Sequence, residues 1–371
     1  MTDEKYMTYA LELAKRGQGQ VSPNPLVGAL IVKDSQIIGE GYHEKYGGPH
    51  AEVNAFSSLK ASPEGATMYV TLEPCAHDGK TPPCVDKIIE SGISRVVIGS
   101  IDPNPLVAGK SVEKMREANI AVEVGVLKAE CDRLNAVFFH YITTGTPFVT
   151  VKYAMSADGK IATHTGESKW ITGELAREHV HRQRHLYSAI MVGATTVTVD
   201  DPMLDSRIPG GKNPIRIVID TTLRIPFESK VVQTAKEIPT IIVTSTVDRK
   251  KEKRFKEKGC EFIVIPDNVF RVELIPLMKV LAKRGIDSIF IEGGSYIHGS
   301  AIEDGIVNRV QIYIAPLIIG GREAPSPIAG IGAPTLGEGT VLTNPKITQF
   351  GDDFLIESDV VKGGRSCSQE S

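Results

Sequence analysis

One histidine and two cysteines, His50, Cys75 and Cys84, have the residue types and order of a zinc site. Imidazole and thiolate groups suit zinc, and three protein ligands leave the fourth tetrahedral position open for water. Zinc lowers the pKa of a bound water from ~15.7 to ~7. Glu52 follows the histidine closely enough to exchange protons with that water, a ring nitrogen and a leaving amine. The order H-x-E, P-C and a further cysteine therefore predicts a zinc-dependent base deaminase.

The spacing of the two cysteines departs from the compact deaminase pattern, because eight residues, 76–83, separate them instead of two. A Cys75–Cys84 disulfide is one alternative, although the cysteine count is odd and no secretory signal precedes the pair. A closed structural zinc site, with Cys131 or His77 as the fourth ligand, is another. The combination of histidine, acid and two P-C pairs favours catalytic zinc over both.

Length and composition describe an ordinary globular chain with two domains. Its 371 residues are more than a single hydrophobic core ordinarily holds, and the hydrophobic content is 41%. The net charge of −3 does not indicate the basic surface that binding to nucleic acid requires. No stretch approaches ~20 apolar residues, so no membrane span is expected. Residues 1–5 do not lead into an apolar run, so no export signal is expected and the location predicted is the cytoplasm.

Hydrophobic periodicity predicts alternating helices and strands in the first part of the chain. The strands are expected at 26–32, 37–42, 68–72, 95–99 and 121–124. The helices are expected at 3–16, 51–59, from 82–83 onward, 111–118 and 129–142. This places His50 and Cys84 at helix N-termini, where the helix dipole favours a thiolate and the Glu52 carboxylate. Such alternation predicts an α/β sheet covered on both faces.

The turn-rich stretch 144–147 predicts the boundary between a first domain, 1–145, and a second, 146–362, with an unstructured tail at 363–371. In the second domain the predicted strands are 148–154, 189–192, 216–220, 240–244, 261–265, 288–292 and 309–315. The predicted helices are 173–187, 248–258, 271–284 and 295–303.

The strand ending at Glu292 runs into Gly293-Gly294-Ser295 and a helical pattern, which suits a phosphate at a helix N-terminus. The pattern G-x-G-x-x-G is absent after the first strand, so a nicotinamide cofactor would need another fold. Arg184 and Arg207 could hold a substrate phosphate, or each could be a solvated surface arginine. Trp170, the one tryptophan, could stack on a nucleotide or fill a core.

Taken together, the motifs resemble the bacterial bifunctional deaminase/reductase family of riboflavin biosynthesis over nearly the whole chain. The motifs that carry the resemblance are Ser22–Gly28, His50–Glu52, Thr71–Cys75, Gly79–Cys84, Asp102–Pro105, Ser156–Ala162, Ser168–Thr172 and Glu292–Ser295. The eight-residue gap between the cysteines is itself typical of this family.

The resemblance implies a cytidine-deaminase-like three-layer αβα domain followed by a dihydrofolate-reductase-like α/β domain. It implies two reactions: zinc-dependent hydrolysis of the pyrimidine amine of a diamino-(phosphoribosylamino)pyrimidinone, then NADPH-dependent reduction of the ribosyl chain to ribityl. One Zn²⁺ per deaminase domain and NADPH are the implied cofactors. The expected partners are small phosphorylated pyrimidines and further copies of this chain in a homo-oligomer, with no nucleic acid and no membrane.

By motif, the resemblance makes His50, Cys75 and Cys84 the zinc ligands and Glu52 the proton shuttle. The deaminase substrate would contact Asn24, His43, Ala51, His77 and Lys80. NADPH would contact Ala154, Trp170, Thr196, Asp200, Gly294, Ser295, Tyr296, Ile297, His298, Gly299 and Ser300. The reductase substrate would contact Ser168, Arg184, Leu204, Arg207 and Glu292.

The acid of the reductase is left open between Lys152, on the first strand of the second domain, and Asp200. Lys152 is hypothesised to polarise or protonate the opened sugar, and a structural salt bridge is the alternative. Two rival functions also remain. One is a nucleic-acid or nucleoside base deaminase with an unrelated fused nucleotide-binding domain. The other is a non-enzymatic zinc scaffold, which would have no need of Glu52.

Overall fold

The computed structural model describes residues 2–76, 83–104, 108–265 and 271–361. The chain forms two compact units, Met1–Thr146 and Pro147–Ser371. Within the described ranges, no helix combines the length and the apolar composition needed to cross a bilayer. The expected tail, 363–371, lies outside the described residues.

The first unit is built on a five-stranded sheet with strand order β2-β1-β3-β4-β5. Its strands are β1 (Gly28–Lys33), β2 (Gln36–Tyr42), β3 (Thr67–Leu72), β4 (Arg95–Ser100) and β5 (Ala121–Val124). Its helices are α1 (Asp3–Lys15), α2 (Ala51–Ser57), α3 (Cys84–Glu90), α4 (Lys110–Glu117), α5 (Lys128–Leu134) and α6 (Ala136–Thr144). Strands β3, β4 and β5 run parallel, and β1 is antiparallel to both β2 and β3.

Alternating side chains along each strand cover the two faces of this sheet with different helices. On β1, Ala29 and Ile31 pack into a core with buried residues of α2, α3 and α4. Leu30 and Val32 pack on the other face, with α1 and Cys131 of α5. The result is three layers, and α2 and α3 lie on one of the outer ones.

The helix predicted at 129–142 is two helices, because Asn135 interrupts it. The Asn135 side chain is buried and accepts a hydrogen bond from the backbone N–H of Leu26 at 2.8 Å. Its amide also donates to the Leu26 carbonyl at 2.9 Å. This pairing with a residue 109 positions earlier cannot be read from local periodicity. It fixes the chain just before β1 and next to Asn24.

The second unit contains a nine-stranded sheet with order β10-β9-β8-β7-β11-β6-β12-β14-β13. Its strands are β6 (Phe148–Ser156), β7 (Ala189–Gly193), β8 (Ile215–Ile219), β9 (Thr240–Thr244), β10 (Glu261–Val264), β11 (Ser288–Gly293), β12 (Val307–Ala315), β13 (Leu342–Phe350) and β14 (Asp353–Val360). Its helices are α7 (Glu174–Leu186), α8 (Ala194–Asp200), α9 (Lys230–Gln233), α10 (Arg249–Glu257), α11 (Leu274–Lys283) and α12 (Ser295–Glu303).

In the sheet of the second unit, neighbouring strands from β10 to β12 run parallel. Strand β14 is antiparallel to both of its neighbours, β12 and β13. On β6, Val149 and Val151 pack with α11 and α12 on one face. The opposite face packs against α8, α9 and α10 near one end and against α7 near the other. A parallel sheet covered in this way gathers the strands' carboxyl ends along one edge, where ligands bind in such folds.

Four elements of the second unit were not predicted. Helix α8 is rich in β-branched residues, which have low helix propensity, but Ala194 and Val197 bury its inner face. Helix α9 has only four residues. Strand β13 is mostly exposed, so it lacks the alternation that would identify it. Strand β14 pairs with both β12 and β13 and so joins β13 to the sheet.

Candidate functional site

Three side chains from separate segments of the first unit converge. His50 caps α2, Cys84 is the first residue of α3, and Cys75 lies in the loop after β3. His50 Nδ1 is 3.6 Å from Cys75 Sγ and 3.4 Å from Cys84 Sγ. All three atoms lie within 4.8 Å of one another. The predicted ligands are therefore side by side.

The separations of these atoms fit one tetrahedral zinc ion. Zn–S bonds of about 2.3 Å and a Zn–N bond of about 2.0 Å, at a tetrahedral angle, place nitrogen and sulfur about 3.5 Å apart. The two N–S distances given above agree with that value. The backbone N–H of Cys84 also donates to Cys75 Sγ at 3.2 Å, a contact that suits a thiolate ligand. The donor set and its geometry both fit zinc.

Electrostatics favour one thiolate in this cluster. Hydrogen bonds from the Cys84 thiol and from His50 lower the pKa of the Cys75 thiol. The same contact with Cys75 raises the pKa of His50. Hydrogen bonding to Cys75, together with burial, raises the pKa of Cys84. A metal ion that binds this cluster displaces the protons of the groups that become its ligands.

Glu52 lies in the first turn of α2, two residues from His50, and only 4% of its surface is exposed. Burial raises the pKa of this carboxyl to about 7. Backbone hydrogen bonding and the nearby His50 charge oppose the effect of burial but do not cancel it. A carboxyl with a pKa near neutrality can both accept and return a proton.

Asn24 and His43 form one hydrogen-bonded unit. His43 Nδ1 lies 2.9 Å from the Pro49 carbonyl, which can only accept, so Nδ1 carries the proton. His43 Nε2 then accepts from Asn24 Nδ2 at 3.1 Å. Burial lowers the pKa of His43 and keeps it neutral. The chain of contacts orients the Asn24 amide and leaves its oxygen to accept a hydrogen bond from a ligand. Ala51, also fully buried, begins α2.

In the second unit, Lys152, Arg184 and Glu292 form a buried ion cluster. Arg184 Nε and Nη2 donate to the two Glu292 oxygens at 2.5 and 2.9 Å. Lys152 Nζ makes one longer contact, 3.4 Å, to Glu292 Oε2. The side chains are 12%, 13% and 8% exposed for Arg184, Lys152 and Glu292. The cluster joins β6, α7 and the end of β11.

The ion cluster keeps Glu292 ionised. Burial alone would raise its pKa, but the charges of Arg184 and Lys152 outweigh that effect and lower the pKa to about 2. Two cations face one carboxylate, so the cluster carries a net positive charge. Because Arg184 makes the shorter, bidentate contact, Lys152 is the cation with more freedom to meet another group.

The junction of β11 and α12 is closely approached by Thr196 of α8. A Cβ built on Gly293 would lie 3.1 Å from Thr196 Oγ1, and one on Gly294 would lie 3.4 Å from the same atom. The glycines thus let the hydroxyl lie against the backbone that begins α12. In the following turn Ser295 is half-buried and Tyr296 is exposed, whereas the next three residues, 297–299, are buried.

Three other predicted cofactor residues lie on different elements. Trp170 is 67% exposed, and the Arg177 guanidinium stacks over its ring at 4.7 Å. Asp200, the last residue of α8, pairs with Lys169 at 3.7 Å. Ala154 is half-buried on β6, two residues beyond Lys152. Trp170 therefore fills no core.

Two predicted substrate residues, Leu204 and Arg207, lie on a loop that Arg184 contacts. Arg184 Nη1 donates to the Asp205 carbonyl at 2.9 Å. Leu204 is buried, whereas Arg207 is exposed and pairs with the Asp205 carboxylate at 3.3 Å. Both have left-handed backbone, with φ of 57° and 52°. Arg184 thus donates hydrogen bonds to Glu292 and to this loop. Ser168, another predicted substrate residue, is half-buried and lies two residues before Trp170.

Comparison with known families gives two matches. A model of the cytidine and deoxycytidylate deaminase zinc-binding region matches residues 1–100. A model of the RibD C-terminal domain matches residues 147–356, more than half of the chain. The chain belongs to the RibD family. The predicted fold class is thereby confirmed, with a cytidine-deaminase-like first domain and a dihydrofolate-reductase-like second domain.

Relatives in the RibD family match over nearly their whole length. The chain is 52% identical to riboflavin biosynthesis protein RibD of Actinobacillus pleuropneumoniae, covering 97% of this chain and 96% of the relative. It is 44% identical to that of Bacillus amyloliquefaciens, covering 98% and 97%. A crystal structure from Thermotoga maritima has a TM-score of 0.83 at 38% identity, covering 97% and 99%. That protein is a diaminohydroxyphosphoribosylaminopyrimidine deaminase/5-amino-6-(5-phosphoribosylamino)uracil reductase.

Glu73 supports the segment that carries Cys75 in a way that the sequence did not reveal. It is buried two residues before Cys75, and its carboxylate accepts hydrogen bonds from the hydroxyl and N–H of Ser111. It also accepts from the N–H groups of Gly109 and Asp102. Glu73 thus fixes the end of β3 against the start of α4. The one sequence signal for this role was its position within the motif Thr71–Cys75.

Two predicted contacts of the deaminase substrate, His77 and Lys80, lie outside the described residues. The remaining candidates form two groups, one in each unit. In the first, the predicted zinc ligands and Glu52 lie together, and Asn24 joins His43, whose ring centroid is 5.8 Å from that of His50. In the second, the ion cluster and the loop 201–207 are in contact through Arg184.

Proposed function

We propose that this chain catalyses two successive reactions of riboflavin biosynthesis. The first is zinc-dependent hydrolytic deamination of 2,5-diamino-6-(5-phosphoribosylamino)pyrimidin-4(3H)-one. The second is NADPH-dependent reduction of the ribosyl side chain of 5-amino-6-(5-phosphoribosylamino)uracil to ribityl. Support comes from membership of the RibD family and from the named activities of the Thermotoga maritima relative. A nucleic-acid or nucleoside base deaminase with an unrelated fused domain is not favoured, because the second unit matches the RibD C-terminal domain.

In the deaminase, His50, Cys75 and Cys84 would hold the zinc ion. When bound, zinc activates water for attack on the ring carbon that carries the amine. Glu52 would carry one proton of the attacking water to the ring nitrogen and then the second to the departing amino group, which leaves as ammonia. Its burial beside the ligands and its pKa of about 7 support this role.

Substrate orientation in the deaminase follows from the Asn24–His43 pair. The Asn24 oxygen would accept a hydrogen bond from the pyrimidine, because its amide nitrogen is already directed at His43. Ala51 would present its backbone beside the ring. The phosphate would be held by His77 and Lys80, since a phosphorylated substrate needs cationic partners that a free base does not.

In the reductase, NADPH supplies the hydride when bound. Lys152 would polarise or protonate the opened sugar while Glu292 and Arg184 hold its ammonium in position. Its single long contact to Glu292 leaves hydrogen-bonding capacity for the substrate. Asp200 is the weaker candidate for the acid, because it lies at the end of α8 beside Lys169.

Further contacts are proposed by motif. NADPH would lie against Ala154, Trp170, Thr196, Asp200 and the segment 294–300, and the exposure of Trp170 supports stacking. The substrate of the reductase would be contacted by Ser168, Leu204, Arg207 and Glu292, with Arg184 acting through Glu292 and the 201–207 loop.

We assign the deaminase to residues 1–145 and the reductase to 146–362, which follows the two matched regions. We also propose that the enzyme works as a homo-oligomer in the cytoplasm on small molecules. The four described cysteines are free thiols, which suits a reducing compartment and leaves two of them available to zinc.

The observation that carries the deaminase proposal is the buried Glu52 beside three atoms spaced for zinc. The test is Glu52→Gln, with ammonia release, bound zinc and reduction of already deaminated substrate measured on one preparation. Ammonia release should fall by about 10²-fold or more, because the proton carrier is lost. Zinc content and reduction should persist.

The matched control is Glu44→Gln, an exposed carboxylate of the same unit, which should leave both activities intact. Deamination retained in Glu52→Gln would show that another group moves the proton. Loss of zinc together with both activities would instead indicate a damaged fold.

A further inference from the structure

The long connection between β12 and β13 begins with a segment that joins two parts of the second unit. This segment, residues 317–330, is called the strap here. One side of it is hydrogen-bonded to the turn after β6, residues 156–161. The other side lies on the first turns of α12. The turn follows Ala154 on β6, and α12 begins within the segment 294–300. The proposed function places Ala154 and that segment at the NADPH site.

The contacts of the strap with the turn are mainly to backbone atoms. Asp158 accepts hydrogen bonds from the N–H groups of Ile319 and Gly320 at 3.1 and 2.7 Å. The Ser156 hydroxyl and these two amides lower the pKa of Asp158 to about 2, so it stays an acceptor at physiological pH. Ile161 N–H donates to the Pro325 carbonyl at 3.0 Å.

The contact of the strap with α12 is closer. A Cβ built on Gly299 would lie 1.8 Å from the Ala329 carbonyl oxygen, a distance no real side chain tolerates. The Ala329 N–H donates to the Ser295 carbonyl at 3.1 Å. Since the atom that a methyl group would meet is backbone, the strap itself would have to move.

His298 fastens the strap at the neighbouring position. Its Nδ1 lies 2.9 Å from the Pro327 carbonyl, an acceptor, so Nδ1 carries the proton. Its Nε2 has no hydrogen-bond partner among the described residues. Burial lowers its pKa to about 4, so the ring is neutral and its protonated Nδ1 is directed at the strap.

These contacts divide the segment 294–300 into two faces. Ile297, His298 and Gly299 are buried, and the latter two are directed at the strap. Ser295, Tyr296 and Ser300 keep exposed surface. The side chains of Ile297 and His298 are thus turned away from solvent and Gly299 lies against the strap, whereas the exposed residues have surface that a ligand can reach.

We propose that His298 and Gly299 are positioning residues of the reductase, which lock the strap to α12 and so hold that helix and the 156–161 turn in the arrangement that NADPH requires. This inference rests on the proposed reductase function. It gives the two residues a positioning role that the motif alone does not indicate. Displacing the strap should weaken NADPH binding more than it slows turnover.

The experiment compares Gly299→Ala, His298→Leu and His298→Asn in the full chain. For each, the dissociation constant for NADPH is measured by titration of the Trp170 fluorescence. The steady-state KM for NADPH, the reductase kcat and the deaminase rate are measured beside it, and the dissociation constant should change as the KM does. Gly299→Ala and His298→Leu should raise the KM for NADPH at least fivefold, with kcat within about twofold of wild type. His298→Asn should restore most of the affinity, because its amide can donate to Pro327 in place of Nδ1. The deaminase rate should not change.

Gly337→Ala is the matched control. It lies in the same connection, and the nearest atom to its added methyl would be Thr335 Oγ1 at 3.9 Å. It should behave as wild type. A merely structural role would lower kcat in proportion to the folded fraction and leave the KM unchanged.

An unchanged KM in both Gly299→Ala and His298→Leu would overturn the inference. So would an equal rise in His298→Leu and His298→Asn, or in Gly337→Ala. If Gly299→Ala does not fold, the comparison of His298→Leu with His298→Asn decides whether the inference holds. A wild-type chain that oxidises no NADPH would overturn the proposed reductase and this inference together, whereas normal wild-type turnover with unaltered variants would overturn the inference alone.

Discussion

Replacing Glu292 by glutamine tests the ion cluster of the second unit directly. The carboxylate accepts two hydrogen bonds from Arg184 and one from Lys152. Glutamine keeps the shape of the side chain but removes the negative charge. The variant therefore leaves two cations facing each other with no anion between them, in a site where the side chains are nearly buried.

The pKa of Glu292 sets the size of the effect. It falls from 4.5 to about 2 on folding, and one pKa unit corresponds to about 1.4 kcal/mol. Ionised Glu292 thus contributes about 3 kcal/mol to the free energy of unfolding at neutral pH. Because the folded pKa is the lower one, the contribution is present above about pH 5 and is lost as the pH falls toward 2. By pH 3.5 more than about 1 kcal/mol should be gone.

Trp170 is the one tryptophan of the chain and lies in the second unit, so its fluorescence reports on that unit alone. Denaturant unfolding followed at Trp170 should give Glu292→Gln a free energy of unfolding about 3 kcal/mol below wild type at pH 7. The difference should shrink at pH 3.5. The control is Glu178→Gln on α7, whose pair with Arg182 is exposed and should matter by under about 0.5 kcal/mol.

A difference under about 1 kcal/mol at pH 7 would refute this reasoning, since it would mean that the charges of Arg184 and Lys152 do not depend on Glu292. A difference that stays constant from pH 7 to pH 3.5 would show that lost packing, not lost charge, destabilises the variant.

Three further substitutions separate roles in the second unit. Lys152→Met should lower the reductase kcat by about 10²–10⁴-fold, measured by NADPH absorbance, with deamination intact; an unchanged kcat would make Lys152 structural. Arg207→Ala should raise the reductase KM for the pyrimidine phosphate without altering deaminase kinetics, and an equal loss of both activities would indicate misfolding. Arg216→Met should cost about 2–4 kcal/mol in denaturant unfolding, because this fully buried guanidinium donates to five neutral acceptors, including the Met203 carbonyl. A loss under about 1 kcal/mol would contradict that estimate.

The metal site could be predicted from the sequence because its chemistry is local. His50 and Glu52 share one helical turn, and prolines precede both cysteines. The helices beginning at residues 51 and 84 were predicted, and they bring His50 and Cys84 to helix N-termini. The role of Glu73 could not be predicted because its hydrogen-bond partners, Ser111 and Gly109, are distant from it in the sequence.

The second site was harder to predict, because its contacts are distant in sequence. Arg184 meets Glu292 across 108 residues, so the guanidinium that was predicted for a phosphate is paired with a carboxylate. Strand β13 could not be predicted from its exposed pattern, and β14 was not predicted either. The packing of the strap against Gly299 involves a backbone carbonyl, which no side-chain pattern records.

One chain should perform both steps, deamination before reduction. The most direct measurement incubates zinc-replete protein with NADPH and 2,5-diamino-6-(5-phosphoribosylamino)pyrimidin-4(3H)-one and follows ammonia release and NADPH absorbance together. Each substrate molecule consumed should yield one ammonia and then oxidise one NADPH, and no NADPH should be oxidised when Glu52→Gln blocks deamination. Ammonia without NADPH oxidation, NADPH oxidation without ammonia, or neither signal from folded, metal-loaded protein would contradict it.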